Sequence, residues 1–383
     1  MMRLISSYWP AASPWFRKNH GWLLALLWAS GQVACWHYYH GPRLMGDGLG
    51  YVACARQLVG TGAFVGEHNY YYAGYVLFIS LFLKLGLGLL AVALAQVGLS
   101  GLALVAFYRT VRRLGGGRWP AAALATAVLA GWAEVQSFNP FILTESLFTS
   151  CLIFCLWALV RARNARSGAL AAGLLLYTAT IRPNGFVAPL AVVLVGLHYL
   201  WRTGHRGWSI GLAGLLAVGA GLALNRITTA FNLIATYAAG TVIFSYAPSA
   251  VVPPASLALP PASLLPVSQL GWFIAHNFLF FSKLALLKAS YFLGWPRPWY
   301  SLAHRVWVAV AFPLLYTLAA RGRRAVGLGP RYAAVAVVLQ LGVVMLTVEE
   351  WGARFSGPFI PYWLALAALG VQRYRPQTAL GLR

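Results

Sequence analysis

Acidic residues are almost missing from this sequence: Asp47, Glu67, Glu134, Glu145, Glu349 and Glu350 are all there are among 383 residues. Charged residues of both signs make up only 9% of the chain. So few charges cannot coat a soluble globule of this size. With 60% hydrophobic residues and a mean hydropathy of +0.69, the composition is that of a polytopic membrane protein. Cysteine is scarce as well. Cys35, Cys54, Cys151 and Cys155 make no metal-binding pattern, and Cys151 and Cys155, one turn apart in an apolar helix, read as small core residues. No internal repeat is visible, and the first apolar run lacks a small-residue cleavage site, which reads as a retained first helix.

What is present in excess is positive charge, 29 Lys and Arg for a net +23. A nucleic-acid partner would explain the sign but not the distribution. The basic residues fall in short clusters between apolar stretches: Arg17 and Lys18, Arg109 to Arg118, Arg161 to Arg166, Arg202 and Arg206, Arg321 to Arg331, Arg373 and Arg375. That is the positive-inside signature of cytoplasmic loops. Apolar runs at about 22–38, 89–108, 119–135, 140–160, 168–181, 186–201, 208–224, 302–320, 332–348 and 359–371 then give an all-α protein of about ten transmembrane helices. Two further stretches, 74–86 and 272–293, are read as helices lying at the external surface, because a span at 74–86 would carry Arg109, Arg112 and Arg113 outside. The chain reads as one membrane domain without a separate soluble domain, with external loops at about 39–88 and 225–301. The proline-rich segment 251–266 of the second loop favours extended backbone.

With this topology all six acids lie on the external side. A carboxylate close to hydrocarbon is costly unless paired or facing water, which makes each a candidate for chemistry. Asp47 lies about nine residues beyond the first span, between Gly46 and Gly48, which allow a tight turn and close approach of a ligand. It reads equally as a cap of the helix that follows. Glu145 sits one turn inside a helix, either bracing a site or pairing with a neighbouring arginine. Glu67 and His68 can form a second base, a metal site or a solvated turn; one Glu and one His are too few to specify a divalent metal, and no cofactor is implied with certainty. Glu134 reads as a helix-end residue in water. Glu349 and Glu350 are expected to position Arg354, one of them as a plain solvated loop charge.

Among the cations, Arg182 precedes Pro183, Asn184 and Gly185, which break a helix near the membrane boundary. Arg182 and Arg354 either clamp an anionic group or snorkel to the headgroups. Arg56 lies on the amphipathic stretch after Asp47. Lys84, Lys283 and Lys288, on the presumed surface helices, read as attraction to anionic lipid.

Taken in order, several segments resemble a known family. An acid shortly after the first span, the stretch YVACARQLVGTGAF, the aromatic YYYAGYVLFISLFLKLG and a helix ending in YRTVRRLGGGR are similar to the GT-C glycosyltransferases. NPFILTESLF at 139–148 resembles a segment of the mannosyltransferase branch, ATIRPNGFVAPL at 179–190 the family's Arg-Pro turn, and EEWGARFSGPFIPYWLALAAL at 349–369 its penultimate loop. The resemblance implies a membrane enzyme that takes a sugar from a polyprenyl- or dolichyl-phosphate donor and passes it to a lipid or glycan acceptor, with Asp47 as base in an inverting displacement. From the residues themselves, Glu145 is the second catalytic candidate, and Arg182, Arg354, Glu67, His68, Arg56 and Glu350 are the candidates for substrate binding. Composition and compact loops suggest a bacterial inner membrane with the site facing the periplasm. A secondary transporter or lipid flippase is the competing reading; it calls for mid-membrane polar groups and paired broken helices. A non-catalytic scaffold is the third, and it gives no reason to confine the acids to one face. The topology is directly testable: in intact cells a cysteine placed at Ser137 is expected to react with an impermeant thiol reagent and one placed at Gly168 is not, and labelling at Gly168 would overturn the assignment.

Overall fold

The computed structural model describes residues 14–350 and 352–372, and their regular secondary structure is helical. The helices are α1 (Pro14–Tyr38), α2 (Asp47–Thr61), α3 (Ala73–Lys84), α4 (Gly88–Leu114), α5 (Trp119–Ala130), α6 (Thr144–Arg161), α7 (Ala165–Ile181), α8 (Val187–Arg202), α9 (Arg206–Ala230), α10 (Pro266–His276), α11 (Phe278–Phe292), α12 (Leu302–Gly322), α13 (Leu328–Leu346) and α14 (Ile360–Gln372). Among the described residues, extended pairing is confined to two isolated parallel bridges, Arg43 with Phe141 and Ile243 with Glu349.

Local sequence explains many of the boundaries. Asn164 and Ser167 form a capping box at the start of α7, each side chain accepting from the other's backbone N–H. Pro120 opens α5, where its missing N–H costs nothing. Arg112 and Arg113 occupy the last turn of α4, where cations complement the helix dipole. At the end of α7, Pro183 holds Arg182 in extended backbone, φ −148° and ψ 155°, and a single 3-10 turn, Pro183–Phe186, leads into α8.

Among the described residues, six segments are long and apolar enough to cross a membrane: Gly88–Leu114, Thr144–Arg161, Pro183–Arg202, Arg206–Ala230, Leu302–Gly322 and Leu328–Leu346. The protein is thus an integral, multi-pass membrane protein. The pair α10 and α11, bent by 102° at the break around Asn277, makes a seventh if it is one broken span. The other four expected spans are also helical. Of these α1 is long but carries Arg17, Lys18, Asn19, His20 and Gln32 along its length, while α5, α7 and α14 are shorter, at 12, 17 and 13 residues.

The chain divides into two compact units, one drawn from 1–189, 313–337 and 357–383, the other from 190–312 and 338–356. In the first, α6 is buried on nearly every side, its polar residues Thr144, Glu145, Ser146, Thr149 and Ser150 included. Tyr362 of α14 donates to the Leu152 carbonyl of α6 at 2.8 Å and shares a 2.9 Å hydrogen bond with Tyr332. The C-terminal turn of α12 crosses α14 at two glycines. A Cβ on Gly322 would lie 1.7 Å from the Leu366 carbonyl oxygen, and one on Gly370 would lie 2.0 Å from that of Leu318, so the crossing requires a small residue at each. The second unit is centred on Leu233, Tyr237, Val242, Ile243, Leu270, Phe273, Phe280 and Leu284. Its proline-rich segment has no regular secondary structure but is pinned by Asn277, whose amide donates to the Ala258 carbonyl at 2.8 Å and accepts from the Ala258 N–H at 3.0 Å. Gly322→Ala is expected to cost about 1–3 kcal/mol through overpacking, read as a lowered Tm in detergent, whereas Gly214→Ala, in open space inside α9, is expected to keep Tm or raise it slightly.

Candidate functional site

In the first unit two helix N-termini are fastened side by side. The Arg43 N–H donates to the Pro140 carbonyl at 2.9 Å, and the Ile142 N–H donates to the Arg43 carbonyl at 2.8 Å. This bridge sets the approach to α2, which begins at Asp47, beside the approach to α6, which begins at Thr144 and Glu145. Gly48 makes the approach sterically feasible: a Cβ there would come within 2.4 Å of the Ile142 carbonyl oxygen. The left-handed φ of +54° at Gly46 turns the chain into α2. The Gly-Asp-Gly motif therefore serves the packing of the backbone around Asp47 on both sides.

The segment before α6 is held by amide side chains. Asn139 donates to Gln32 Oε1 at 2.9 Å and to Ser100 Oγ at 3.1 Å, and accepts from Ser146 Oγ at 2.6 Å. Gln96 donates to the Phe141 carbonyl at 2.7 Å and accepts from the Tyr75 hydroxyl at 2.7 Å. Gln32 donates to Gln136 at 2.9 Å. All of these amides are buried, and a satisfied buried network of this kind rigidifies the backbone it grips.

Glu145, 1% exposed, forms an ion pair at 3.2 Å with Arg182, 4% exposed, and the guanidinium also lies 5.6 Å from the centre of the Phe148 ring. Of the two readings open for Glu145, bracing a site or pairing with an arginine, the pairing is present. For Arg182 the snorkelling alternative is overturned: the break before Pro183 turns the side chain inward to the first turn of α6 instead of out to the headgroups. Asp47, by contrast, is exposed in the first turn of α2.

One turn further along α2, sequence reasoning missed Tyr51. Its ring is 2% exposed, packs 4.8 Å from Tyr72 and 5.5 Å from Tyr75, and its hydroxyl has no hydrogen-bond partner among the described residues. Burial pushes the Tyr51 phenol upward, Tyr72, Asp47 and Glu145 push it the same way, and Arg182 opposes them. The i, i+4 spacing from Asp47 was the available signal, but only packing shows that the ring turns inward.

No family model matches the sequence, and no curated protein matches it. Among solved structures, the chain is similar to ArnT from Cupriavidus metallidurans in the apo state, at a TM-score of 0.49 and 16% identity over 91% of this chain. The chain spans 59% of the length of that protein.

Other sequence candidates are dispersed. Arg56 and His68 are exposed, His68 with its ring 5.3 Å from that of Tyr72. Glu67 opens the short turn Glu67–Tyr70, and its side chain lies outside the described residues. Glu134 is half-buried and accepts from the Trp132 indole at 3.4 Å, not a residue in open water. Among the described residues no group of three or more His, Cys, Asp or Glu is placed to hold a metal ion. Cys151 and Cys155 are free and buried, as a core reading requires.

The second unit carries its own charge cluster. Arg354 pairs with Glu350 at 3.4 Å. Glu349 is fully buried and pairs at 3.1 Å with Arg297, a residue sequence reasoning passed over. The expectation that one of these glutamates is a solvated loop charge is overturned, because the bridge to Ile243 draws Glu349 inside, where Arg297 offsets its charge. Lys288 is likewise no lipid-facing residue: it is fully buried, donates to the Thr347 carbonyl and sits 4.4 Å from the centre of the Tyr237 ring. Lys84 and Lys283 are exposed.

Separating Glu145 from Arg182 leaves a buried charge without its counter-ion, so Arg182→Ala is expected to cost about 3–5 kcal/mol. The double variant Glu145→Gln with Arg182→Met is expected to recover most of that loss, measured as Tm in detergent. An Arg182→Ala protein as stable as wild type would contradict a structural ion pair.

Proposed function

We propose that the protein is a membrane glycosyltransferase of GT-C type, transferring a sugar from a polyprenyl-phosphate donor to a hydroxyl of a lipid or glycan acceptor at the periplasmic face of a bacterial inner membrane. The observation that carries this reading is an exposed carboxylate, Asp47, at the start of α2, which backbone hydrogen bonds hold beside the approach to α6, where Glu145 pairs with Arg182. The order of sequence motifs supplies the family.

In this mechanism Asp47 takes the proton of the acceptor hydroxyl as its oxygen attacks the anomeric carbon, and the bond from that carbon to the phosphate oxygen breaks with inversion. General-base assistance of this kind contributes about 10²- to 10⁴-fold. The departing phosphate gains negative charge, which oriented cations stabilise more in the transition state than in the ground state. Within the first unit Arg182 is proposed as such a cation, with Glu145 fixing its direction. Arg354 of the second unit, oriented by Glu350, is proposed separately as a ligand of the donor's phosphate. Arg56, Glu67 and His68 are retained as candidates for the sugar or acceptor.

A transporter or lipid flippase remains the second reading, favoured by the sharp break between α10 and α11. Donor consumption discriminates: purified protein incubated with a panel of polyprenyl-phosphate sugars is expected to release polyprenyl phosphate, which a flippase would not do.

Asp47→Asn keeps the side chain's shape and removes its basicity, so it is expected to insert normally and lose turnover by about 10²- to 10⁴-fold. For the cations, Arg182→Lys preserves a charge opposite Glu145 but lacks the planar fork, and Arg354→Ala removes the charge altogether. At matched protein levels Arg354→Ala is expected to raise the half-saturating donor concentration about ten- to hundredfold, with Arg182→Lys in between and acceptor dependence little changed. Near-normal transfer by Asp47→Asn would remove the proposed base, and unaltered donor dependence in both arginine variants would remove the phosphate ligands.

A further inference from the structure

The charge cluster of the second unit is built around one bifunctional side chain. Arg297, 2% exposed in the turn between Pro296 and Pro298, directs Nη2 to the Glu349 carboxylate at 3.1 Å and Nη1 to the main-chain carbonyl of Glu350. Glu350 in turn carries the carboxylate that meets Arg354 at 3.4 Å. The backbone of Glu349 is fixed as well, its N–H donating to the Val242 carbonyl at 3.0 Å and its carbonyl accepting from the Phe244 N–H at 2.8 Å. Just before it, the end of α13 is tied down by Tyr237, whose hydroxyl donates to the Leu346 carbonyl, and by Lys288 at the Thr347 carbonyl. One contact is left open: Glu349 Oε2 is buried with no hydrogen-bond partner among the described residues.

We infer that Arg297 and Glu349 are positioning residues for Arg354, acting through Glu350, so that engagement of an anionic phosphate by Arg354 depends on whether Glu349 is ionised. This rests on the donor-binding reading of Arg354 given above. The route is short and physical. Arg297 grips Glu349 by charge and the Glu350 carbonyl by hydrogen bond, so neutralising Glu349 weakens the grip on the carbonyl's neighbour and frees the segment that aims the Glu350 carboxylate. The groups facing Glu349 are Arg297 from the Pro-Arg-Pro turn and Glu350 beside it. The 242–244 segment across the bridge brings no ionisable residue, and Lys288 reaches the chain two residues earlier.

Burial pushes Glu349 up to about 7, against the pull of Arg297, so this control operates near neutral pH. The sign for stability is opposite to that for binding. Because the folded state holds this proton more tightly than the unfolded chain does, the contribution of Glu349 to stability is full at low pH and is lost as pH rises through about 7. Donor engagement, by contrast, needs the ionised pair and weakens toward acid. Weaker donor binding at about pH 6 without a fall in Tm therefore separates positioning from partial unfolding.

The experiment has two arms. In the first, a nitroxide label at Ser356→Cys, in a background carrying Cys35→Ser, reports mobility near Arg354 without any donor. The line shape is expected to sharpen between about pH 8 and about pH 6, and to be insensitive to pH in the Glu349→Gln protein. In the second, the half-saturating concentration of polyprenyl-phosphate sugar is expected to rise roughly three- to tenfold over the same range in wild type and to stay flat in Glu349→Gln. An unchanging line shape in wild type, or a Glu349→Gln protein that keeps the wild-type pH dependence, would overturn the positioning role. No donor saturation at any pH would instead overturn the glycosyltransferase reading, and the label would still decide the role of Glu349.

Discussion

A charge in an apolar chain has to be answered by another charge, and that requirement organises both units of this protein. Glu145, Glu349 and Glu350 are buried, and each stands within 3.4 Å of an arginine. Moving a carboxylate away from water costs several kcal/mol even after relaxation, and a partner at hydrogen-bonding distance offsets much of it. Such pairs add little net stability over an apolar pair of the same volume. Their effect is directional: the partner must sit where the carboxylate is, so the elements that carry them are placed relative to each other with little freedom.

In the first unit that directional effect acts between α6 and the broken end of α7. Glu145 lies in the first turn of α6, and Arg182 is extended by Pro183, so the ion pair locks a helix start to a helix break. The amide network around Asn139 and Gln96 then fixes the segment leading into α6, and the Arg43–Phe141 bridge carries the start of α2 alongside it. Asp47 stays exposed while Tyr51, one turn later, is buried. An exposed carboxylate next to a rigid, charge-balanced floor suits acid–base chemistry, because the carboxylate can be wetted while its surroundings keep their geometry.

In the second unit the same requirement acts on a loop. Arg297 and Lys288 both come from the region between α10 and α12, and both end on the stretch that follows α13. A lysine at a helix C-terminus meets orphan carbonyls and the negative end of the dipole, which is a favourable destination for a buried cation. The proline-rich segment has no regular secondary structure, and Asn277 satisfies both backbone groups of its Ala258.

The sequence by itself determined the membrane class, the helical architecture and the identity of the few residues worth following. These depend on composition and on the length and polarity of contiguous runs, which are local properties. It also pointed to Asp47, Glu145 and Arg182, because ionisable residues beside apolar runs are rare enough to stand out. What it left undecided was partnership. Glu145 read equally as a brace or as an arginine's partner, one of Glu349 and Glu350 read as a solvated charge, and Lys288 as a lipid-facing one. Arg297 carried no distinguishing pattern, and Tyr51 only its i, i+4 spacing from Asp47. Pairing across 37 residues between Glu145 and Arg182, or 52 between Arg297 and Glu349, is set by how helices cross and where a loop is drawn inward. No local periodicity encodes that, so only the tertiary structure decided which charges are buried and which carboxylate meets which arginine.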